Sequence, residues 1–202
     1  MTETRFTGKG LATRARIVDA TARLMFERGI EGTTMEDVRD VAEVSGSQMS
    51  HYFAGKNDLT REVVSERRRY VAEVHSHPRF GAFDSIDAFE AWADVCAADA
   101  KKVYRRGGCV YGSLAGELIE GEAPIRDELA AGYDEWIERF RSGLAAMKQR
   151  GELRADADPR HLAVSLVVAH QGGAMLTFVT GDPEALGANV NAAVDYVRSF
   201  TS

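Results

Sequence analysis

Residues 44–59 constrain the fold of this chain more than any other segment. Their sequence, VSGSQMSHYFAGKNDL, predicts a tight turn, a short helix with a polar face and the capped start of a longer helix. A short polar helix has little apolar surface to bury, so a further requirement must keep it rigid. Presenting Ser, Gln, His and Tyr side chains to base edges and phosphates in a DNA major groove would be such a requirement.

The rest of the chain also predicts helices, and the expected fold class is all-α with nine helices. No stretch alternates apolar and polar residues, and no Asn-Gly or Asp-Gly pair signals a hairpin. In the second helix the cap is Thr33 or Thr34 with Glu36 or Asp37 as its capping-box partner, and Val38, Val41 and Ala42 face inward. The other helices are expected at about 11–28, 45–52, 57–75, 85–106, 110–119, 124–151, 159–179 and 183–200.

Length and composition fit a protein with two small domains. We expect a DNA-binding domain at 1–55 and a helical effector-binding and dimerisation domain at 56–202. The chain has 202 residues, 45% of them hydrophobic. No run of about 18 apolar residues is present, which argues against a membrane span. The N-terminus lacks the apolar core of a signal peptide, so the expected location is the cytoplasm.

Charge is unevenly distributed along the chain. The formal net charge is −6, but residues 1–79 hold 13 Lys and Arg against 12 Asp and Glu. Arg5, Lys9, Arg14 and Arg16 form a basic leader opposed only by Glu3. DNA affinity depends on such local cations and not on the charge of the whole chain. The acidic total therefore does not exclude DNA binding by the N-terminal part.

The tight turn and the helices on either side of it together predict a helix-turn-helix motif. Its second helix would contact the edges of DNA bases. A solvated helix face is the alternative for its polar residues. Met49 and Phe53 are expected in the core, and Tyr52 fits either environment. Phosphate contacts are expected from Thr33, Thr34 and Lys56. The complete set of predicted DNA-binding residues is Thr33, Thr34, Ser45, Ser47, Gln48, Ser50, His51, Tyr52 and Lys56.

This segment resembles the TetR family of bacterial transcriptional regulators. The resemblance is carried by His51, Tyr52 and Phe53 followed by Gly55, Lys56, Asn57, Asp58 and Leu59, and upstream by Gly29, Thr33, Thr34 and Val38. Two residues depart from the usual pattern. Arg39 replaces a small Ala, and Glu43 replaces the turn Gly, so the turn is expected to be built differently because a Glu at positive φ costs energy. The resemblance implies a repressor that leaves a double-stranded DNA operator when a small effector binds. The long helix at 57–75 joins both domains and would transmit the effect of effector binding to the DNA-binding domain.

The family pattern implies a homodimer through the last two helices, and the sequence agrees. The helix at 159–179 is too apolar around its circumference for a surface helix. We expect its own core and a partner to cover it, with Gly172 and Gly173 allowing close approach. A twofold dimer would place two reading helices about 34 Å apart and favour a near-palindromic operator. The alternative is a monomer that buries both helices internally.

An effector site is expected in the C-terminal helices for a small apolar or aromatic molecule. Apolar walls with a few polar groups are typical of a ligand site and equally of an ordinary core. His170 is the most informative candidate because it lies within an apolar helix. The predicted lining consists of Trp92, Cys96, Tyr111, Trp136, Phe140 and His170, with Tyr104 as a further candidate.

Other functional classes find less support. No cofactor motif, metal spacing or nucleophile elbow is present, so we expect no enzyme. An all-helical enzyme using His170 or Cys109 with Asp99 or Glu117, and a carrier without specific DNA binding, are the alternatives. Cys96 and Cys109 are too few for a disulfide framework. Cys109, expected at a helix start, could have a lowered pKa and a redox role.

Overall fold

The computed structural model describes residues 6–102, 109–118 and 123–202, and within them the all-α prediction is confirmed. The helices are α1 (Gly8–Arg28), α2 (Met35–Val41), α3 (Gly46–Tyr52), α4 (Lys56–His75), α5 (Ile86–Ala100), α6 (Val110–Glu117), α7 (Ala123–Gln149), α8 (Pro159–Thr180) and α9 (Glu184–Arg198). A 3₁₀ turn at Pro78–Phe80 follows α4. The expected end of α5 near residue 106, Arg5 of the basic leader and the candidate Tyr104 lie outside the described residues.

The chain divides into two compact units. Among the described residues the first unit comprises 6–67, 114–118 and 123–129, and the second comprises 68–102, 109–113 and 130–202. Both α4 and α7 contribute residues to each unit. The domain boundary predicted at residue 55 remains a prediction.

The first unit forms around the apolar face of α1. Ile17 and Ala20 of this face are fully buried, and Gly29 ends the helix at φ 77°. In α2, Val38 and Ala42 are buried as predicted. Val41 was predicted to face inward and is 45% exposed, because it is rotated from Val38 toward the side of the short helix that lies away from the buried Ala42.

The turn between α2 and α3 places Glu43 at φ 52°. The Glu43 N–H donates to the carbonyl of Asp40 at 3.3 Å, and the Val44 N–H donates to that of Arg39 at 3.1 Å. These two bonds form a Schellman motif, which requires a left-handed residue at the position of Glu43. The expectation of a differently built turn was therefore wrong: the two backbone bonds compensate for the strain of a Glu at positive φ.

Replacing Glu43 by Gly should stabilise the folded chain. Gly adopts positive φ without steric cost, and the gain, reduced by the greater entropy of unfolded Gly, should be about 0.5–1 kcal/mol. Urea unfolding at neutral pH measures it. Glu27→Gly, at an exposed position inside α1, is the matched control and should lower stability by a similar amount. Equal destabilisation by both substitutions would contradict the assignment of strain to Glu43.

The second unit has one aromatic-rich core. Its buried residues come from the segment after α4 and from α5, α7, α8 and α9, with Phe89, Phe140, Leu162 and Val190 fully buried. Gly173 of α8 lies so close to α9 that an added Cβ would come within 2.8 Å of the Leu186 Cα. The small residue therefore sets the distance between these two helices.

One side of α8 stays exposed in the single chain. Helix α8 is long and apolar enough to cross a membrane by length and composition alone, and 44% of its apolar window is buried inside the protein. The sequence argument against a membrane span therefore fails when the length and average composition of α8 are considered. A helix in the core of a protein can have the same length and composition. Val168, Met175 and Val179 are 63%, 61% and 73% exposed. At helical spacing they form one apolar stripe with Gly172, over which an added Cβ would meet open space.

Candidate nucleic-acid interface and ligand site

A capping box fixes the start of α3. The Ser45 hydroxyl accepts from the Gln48 N–H at 3.2 Å, and the Gln48 side-chain oxygen accepts from the Ser45 N–H at 2.9 Å. Such reciprocal bonds satisfy backbone donors that a helix start leaves unpaired. Part of the Gln48 amide is thus used within the helix, while its NH₂ group remains as a donor.

The outer face of α3 is polar and exposed. Ser47, Gln48, Ser50 and His51 are all exposed, and the hydroxyls of Ser47 and Ser45 lie 3.0 Å apart. On the opposite side Met49 is buried, and Phe53 is buried directly after the helix, as predicted. The helix therefore presents donors and acceptors on one side and packs into the first unit on the other.

Tyr52 is half-buried because the N-terminal segment packs on it. The Phe6 ring lies 5.1 Å from the Tyr52 ring and 5.7 Å from the His51 ring, and those two rings are 5.0 Å apart. Sequence reasoning missed Phe6, because a single aromatic residue before α1 gives no periodic signal. This contact restricts the rotamers of His51 and Tyr52 on the reading helix.

Thr33 and Thr34 have different environments. Thr34 is exposed and caps α2, accepting from the Asp37 N–H at 3.1 Å, while the Asp37 carboxylate accepts from the Thr34 N–H at 3.1 Å. The Thr34 hydroxyl also donates to the Asp37 carboxylate, and this bond, followed by the one from the Thr34 N–H, lowers the pKa of Asp37. Thr33 is only 1% exposed and its hydroxyl donates to the Gly29 carbonyl at 2.8 Å. A phosphate contact at this helix start therefore rests on Thr34 rather than on the side chain of Thr33.

Lys56 begins α4 and extends toward the α1–α2 connection. Its ammonium lies 3.5 Å from the backbone carbonyl of Glu31, the outer limit of a hydrogen bond. No ion pair with a described carboxylate restrains it. Its charge is therefore available to a phosphate.

Two cations of the predicted basic leader bind within the fold instead. Arg14 pairs with Glu62 at 2.7 Å, and its guanidinium lies 5.2 Å from the centre of the Phe53 ring. The Glu62 hydrogen bond raises the pKa of Arg14. Arg16 donates to the Ala42 carbonyl at 2.9 Å, at the end of α2. Both guanidinium groups thus have partners that fix α1 against its neighbours, and their contribution to DNA affinity stays a prediction.

Variants of Gln48 should separate capping from base contact. Gln48→Ala loses both and should lower stability by about 0.5–1 kcal/mol. Gln48→Glu preserves the capping box and removes the NH₂ donor that suits adenine. We expect it to retain its melting temperature and to lose discrimination between a specific and a scrambled DNA duplex. The measurements are thermal unfolding and fluorescence anisotropy with both duplexes.

Ser45→Ala is the control for that experiment, since it weakens the cap and leaves the Gln48 amide in place. Its discrimination ratio should stay near that of the original protein while its melting temperature falls. If Gln48→Glu kept full discrimination, Gln48 would not be a base contact.

The predicted effector residues lie mainly in the packed core of the second unit. Trp92, Trp136, Phe140 and His170 form one cluster, with ring centroids of His170 at 5.9 Å from Trp92 and 4.9 Å from Trp136. Cys96 is buried in the same core. Tyr111 is also buried and stacks obliquely on Tyr133 at 5.1 Å. Whether they contact an effector is untested and stays a prediction.

His75 belongs to this cluster and was not singled out in the sequence. Its Nδ1 lies 2.8 Å from the Val71 carbonyl and therefore donates, and its Nε2 accepts from the Trp92 indole N–H at 3.2 Å. The two bonds define a neutral imidazole. Burial lowers the pKa of His75 to about 4 and that of His170 to about 3. The His75–Trp92 bond joins residues 17 positions apart, which helical periodicity cannot reveal.

Both histidines should make stability depend on pH. Their folded-state pKa values lie below the unfolded value of about 6.5, so their stabilising effect is complete above that pH. As the pH falls the unfolded chain takes up protons first. Each histidine should then lower the free energy of unfolding by about 1.4 kcal/mol per pH unit, until the pH reaches the pKa of that histidine in the folded protein. Urea unfolding between pH 7 and about 5, where few carboxylates titrate, measures the slope at fixed protein concentration.

Single variants test which histidine is responsible. His170→Leu should reduce the slope by roughly half, whatever its effect on stability at pH 7. His161→Ala, at an exposed position of α8, should leave the slope unchanged. An unaltered slope in His170→Leu would show that this residue is not held neutral.

A cavity of about 790 Å³ opens between α4, the segment after it and α7 in the second unit. Of the predicted effector residues only Trp136 lines it, together with the His75 ring. The described residues that line it are Arg68, Val71, Ala72, His75, Ala82, Gly132, Asp134, Glu135, Trp136, Glu138, Arg139 and Ser142. Its volume falls within the range of small-molecule sites.

Cys109 does not have the environment expected at an open helix start. Its thiol accepts from the Gln171 side-chain amide at 3.6 Å, and that amide nitrogen also lies 3.4 Å from His170 Nδ1. Burial raises the pKa of the Cys109 thiol, so the expected lowering was wrong. A raised thiol pKa beside an imidazole of lowered pKa is the opposite of an activated nucleophile.

Comparison with known proteins assigns both parts of the chain. Residues 17–63 match the family described as "Bacterial regulatory proteins, tetR family", and residues 86–193 match "Tetracyclin repressor-like, C-terminal domain". The HTH-type transcriptional repressor DhaR of Mycobacterium sp. (strain GP1) is 22% identical over 177 residues, covering 86% of each chain.

Solved structures agree with this assignment. A TetR-family regulator from Cytophaga hutchinsonii superposes with a TM-score of 0.83 at 16% identity, covering 98% of both chains. A TetR transcriptional regulator from Chloroflexus aurantiacus J-10-FL superposes with a TM-score of 0.80 at 24% identity, covering 96% of this chain and 98% of the other. At this level of sequence identity, the similarity to these two structures shows a shared fold.

Proposed function

The chain belongs to the tetR family of bacterial regulatory proteins and is a DNA-binding transcriptional regulator, and we propose that it is a homodimeric repressor released from its operator by a small effector. The observation that carries this proposal is the exposed polar face of α3, held by a capping box and buried anchors. An exposed helix of this kind is the part of a helix-turn-helix that enters the major groove.

The proposed DNA contacts divide into two sets. Ser47, Gln48, Ser50 and His51 would contact base edges, since their exposed side chains offer the donors and acceptors that major-groove recognition needs. Phosphate contacts would come from Thr34 and Lys56, with Ser45 and Tyr52 at the two ends of α3 as further candidates and Thr33 through its backbone. Phosphate contacts orient the protein without reading sequence.

The proposed dimer interface is the apolar stripe of α8 together with α9. Val168, Met175 and Val179 are mostly exposed in the single chain, and an apolar patch of this kind is typical of an interaction surface. Gly172, in the same stripe, has open space above it and would allow close approach of a partner helix. An isologous dimer would then bind a near-palindrome.

Release requires that the effector bind better to the conformation with unfavourably spaced reading helices. We propose a site in the helices of 56–202, with an apolar or aromatic ligand and α4 as the connecting element. The predicted residues Trp92, Cys96, Tyr111, Trp136, Phe140 and His170 remain candidates for it. A regulator of this kind would work in the cytoplasm, where its operator lies, and needs no cofactor or catalytic group.

Selection of bound sequences from a random duplex library tests the function. The purified protein should enrich one near-palindrome whose half-sites lie about one DNA turn, ~34 Å, apart. Enrichment of no sequence at low salt without added ligand would contradict the proposal and favour a helical carrier or enzyme.

A charge on the exposed stripe tests the dimer. Met175→Glu should dissociate the protein into monomers in analytical ultracentrifugation and abolish enrichment of the palindrome, because a carboxylate would be buried at the interface. Tyr70→Glu is the matched control at another exposed apolar position and should remain dimeric. A dimeric Met175→Glu protein would place the interface elsewhere.

A further inference from the structure

Arg139 stands out among the groups that line the cavity of the second unit. It is half-buried, and its guanidinium makes one hydrogen bond, to the His75 carbonyl at 3.5 Å. Over the described ranges, no carboxylate lies within ion-pair distance of it. A partly desolvated guanidinium without a counter-charge is unfavourable until an anion reaches it.

The carboxylates of the same cavity are already engaged. Glu135 accepts from Arg68, with 2.9 Å between Nε and Oε2. Glu138 accepts from Arg141 at 2.6 Å and from the Ser142 hydroxyl at 2.9 Å. These bonds lower the pKa of both carboxyl groups, so they stay ionised within their own pairs. Asp134 is exposed. Among the lining residues that are not exposed, the charge without a counter-charge is therefore the positive charge of Arg139.

Trp136 supplies a second donor without an acceptor. Its indole Nε1 is buried and has no hydrogen-bond partner among the residues that the structure describes. The His75 ring beside it is saturated, because both of its nitrogens already have partners. A buried donor without an acceptor is costly and rare in native structures. This nitrogen has almost no accessible surface, so it is not reached from the cavity, and Trp136 lines the cavity through other atoms of its ring.

The remaining wall is apolar and fits the body of a ligand. Val71 and Ala72 of α4, Ala82 of the following segment, and the carbon faces of the His75 and Trp136 rings line it. Such a wall excludes water from the charged end of a ligand and so strengthens its contact with a guanidinium.

We propose that this cavity binds the anion of a small carboxylic acid with an aromatic or apolar body. The Arg139 guanidinium would bind the carboxylate through two N–H groups, as its planar geometry favours. The apolar wall would contact the body. This inference rests on the proposed function, since such an anion would be the effector.

Isothermal titration calorimetry with three isosteric probes tests the inference in the absence of DNA. The probes are naphthylacetate, naphthylacetamide and naphthylethylamine, which share an aromatic body and differ in charge. The carboxylate should bind tighter than the amide and the amine by about tenfold or more, because only it pairs with a guanidinium. Stronger binding of the amine, equal binding of acid and amide, or no saturable heat from any probe at millimolar concentration would overturn the proposal.

Three variants assign the contacts. Arg139→Gln should weaken naphthylacetate binding by about 10–100-fold and remove the preference over the amide. Arg79→Gln removes an exposed arginine that does not line the cavity and should leave the affinity unchanged. Trp136→Phe keeps an aromatic wall and should leave the preference for the acid over the amide unchanged, since Arg139 is retained. Unchanged acid binding in Arg139→Gln would contradict the assignment.

Measurement of operator affinity then distinguishes a failure of this inference from a failure of the proposed function. If the probe preference is as expected and saturating naphthylacetate leaves operator binding unchanged, the anion site stands and its role as effector site fails. If a palindrome is enriched and no probe binds, the regulator stands and the carboxylate inference fails.

Discussion

The exposed polar face of α3 depends on how a helix of only seven residues is kept folded. An isolated helix of this length is unstable in water, so α3 must be stabilised by its surroundings. Met49 and Phe53 anchor one side, the Ser45–Gln48 capping box fixes the start, and the Schellman motif at Glu43 sets the entry direction. The outer face is thereby left for polar residues that contribute nothing to the core.

The second unit solves a different problem, the burial of imidazoles in an aromatic core. A buried His is tolerated when both ring nitrogens have partners and the ring stays neutral. His75 meets both conditions through Val71 and Trp92. Among the described residues, the buried indole N–H of Trp136, next to it, lacks an acceptor. Arg139 lacks a counter-anion there and lines the cavity of this unit.

Sequence reasoning recovered the local features of the fold and missed contacts between distant residues. Helix positions, a cap at Thr33 or Thr34 and the burial of Met49 and Phe53 follow from spacing within a few residues. Arg14 was counted as a cation of the basic leader because nothing nearby in sequence opposes it, whereas its partner Glu62 lies 48 positions away. His75 and the cavity were missed for the same reason, and Glu43 was misjudged because hydrogen bonds that offset its strain leave no mark in composition.

The dual role of Gln48 limits how the specificity of such a protein can evolve. A residue that only touched bases could be exchanged freely whenever a new operator is favoured. Here the same amide closes the helix start, so a replacement must still accept from the Ser45 N–H or the reading helix frays. Of the twenty side chains few satisfy that condition. Changes of target sequence should therefore enter first at an exposed residue outside the capping box, such as Ser50.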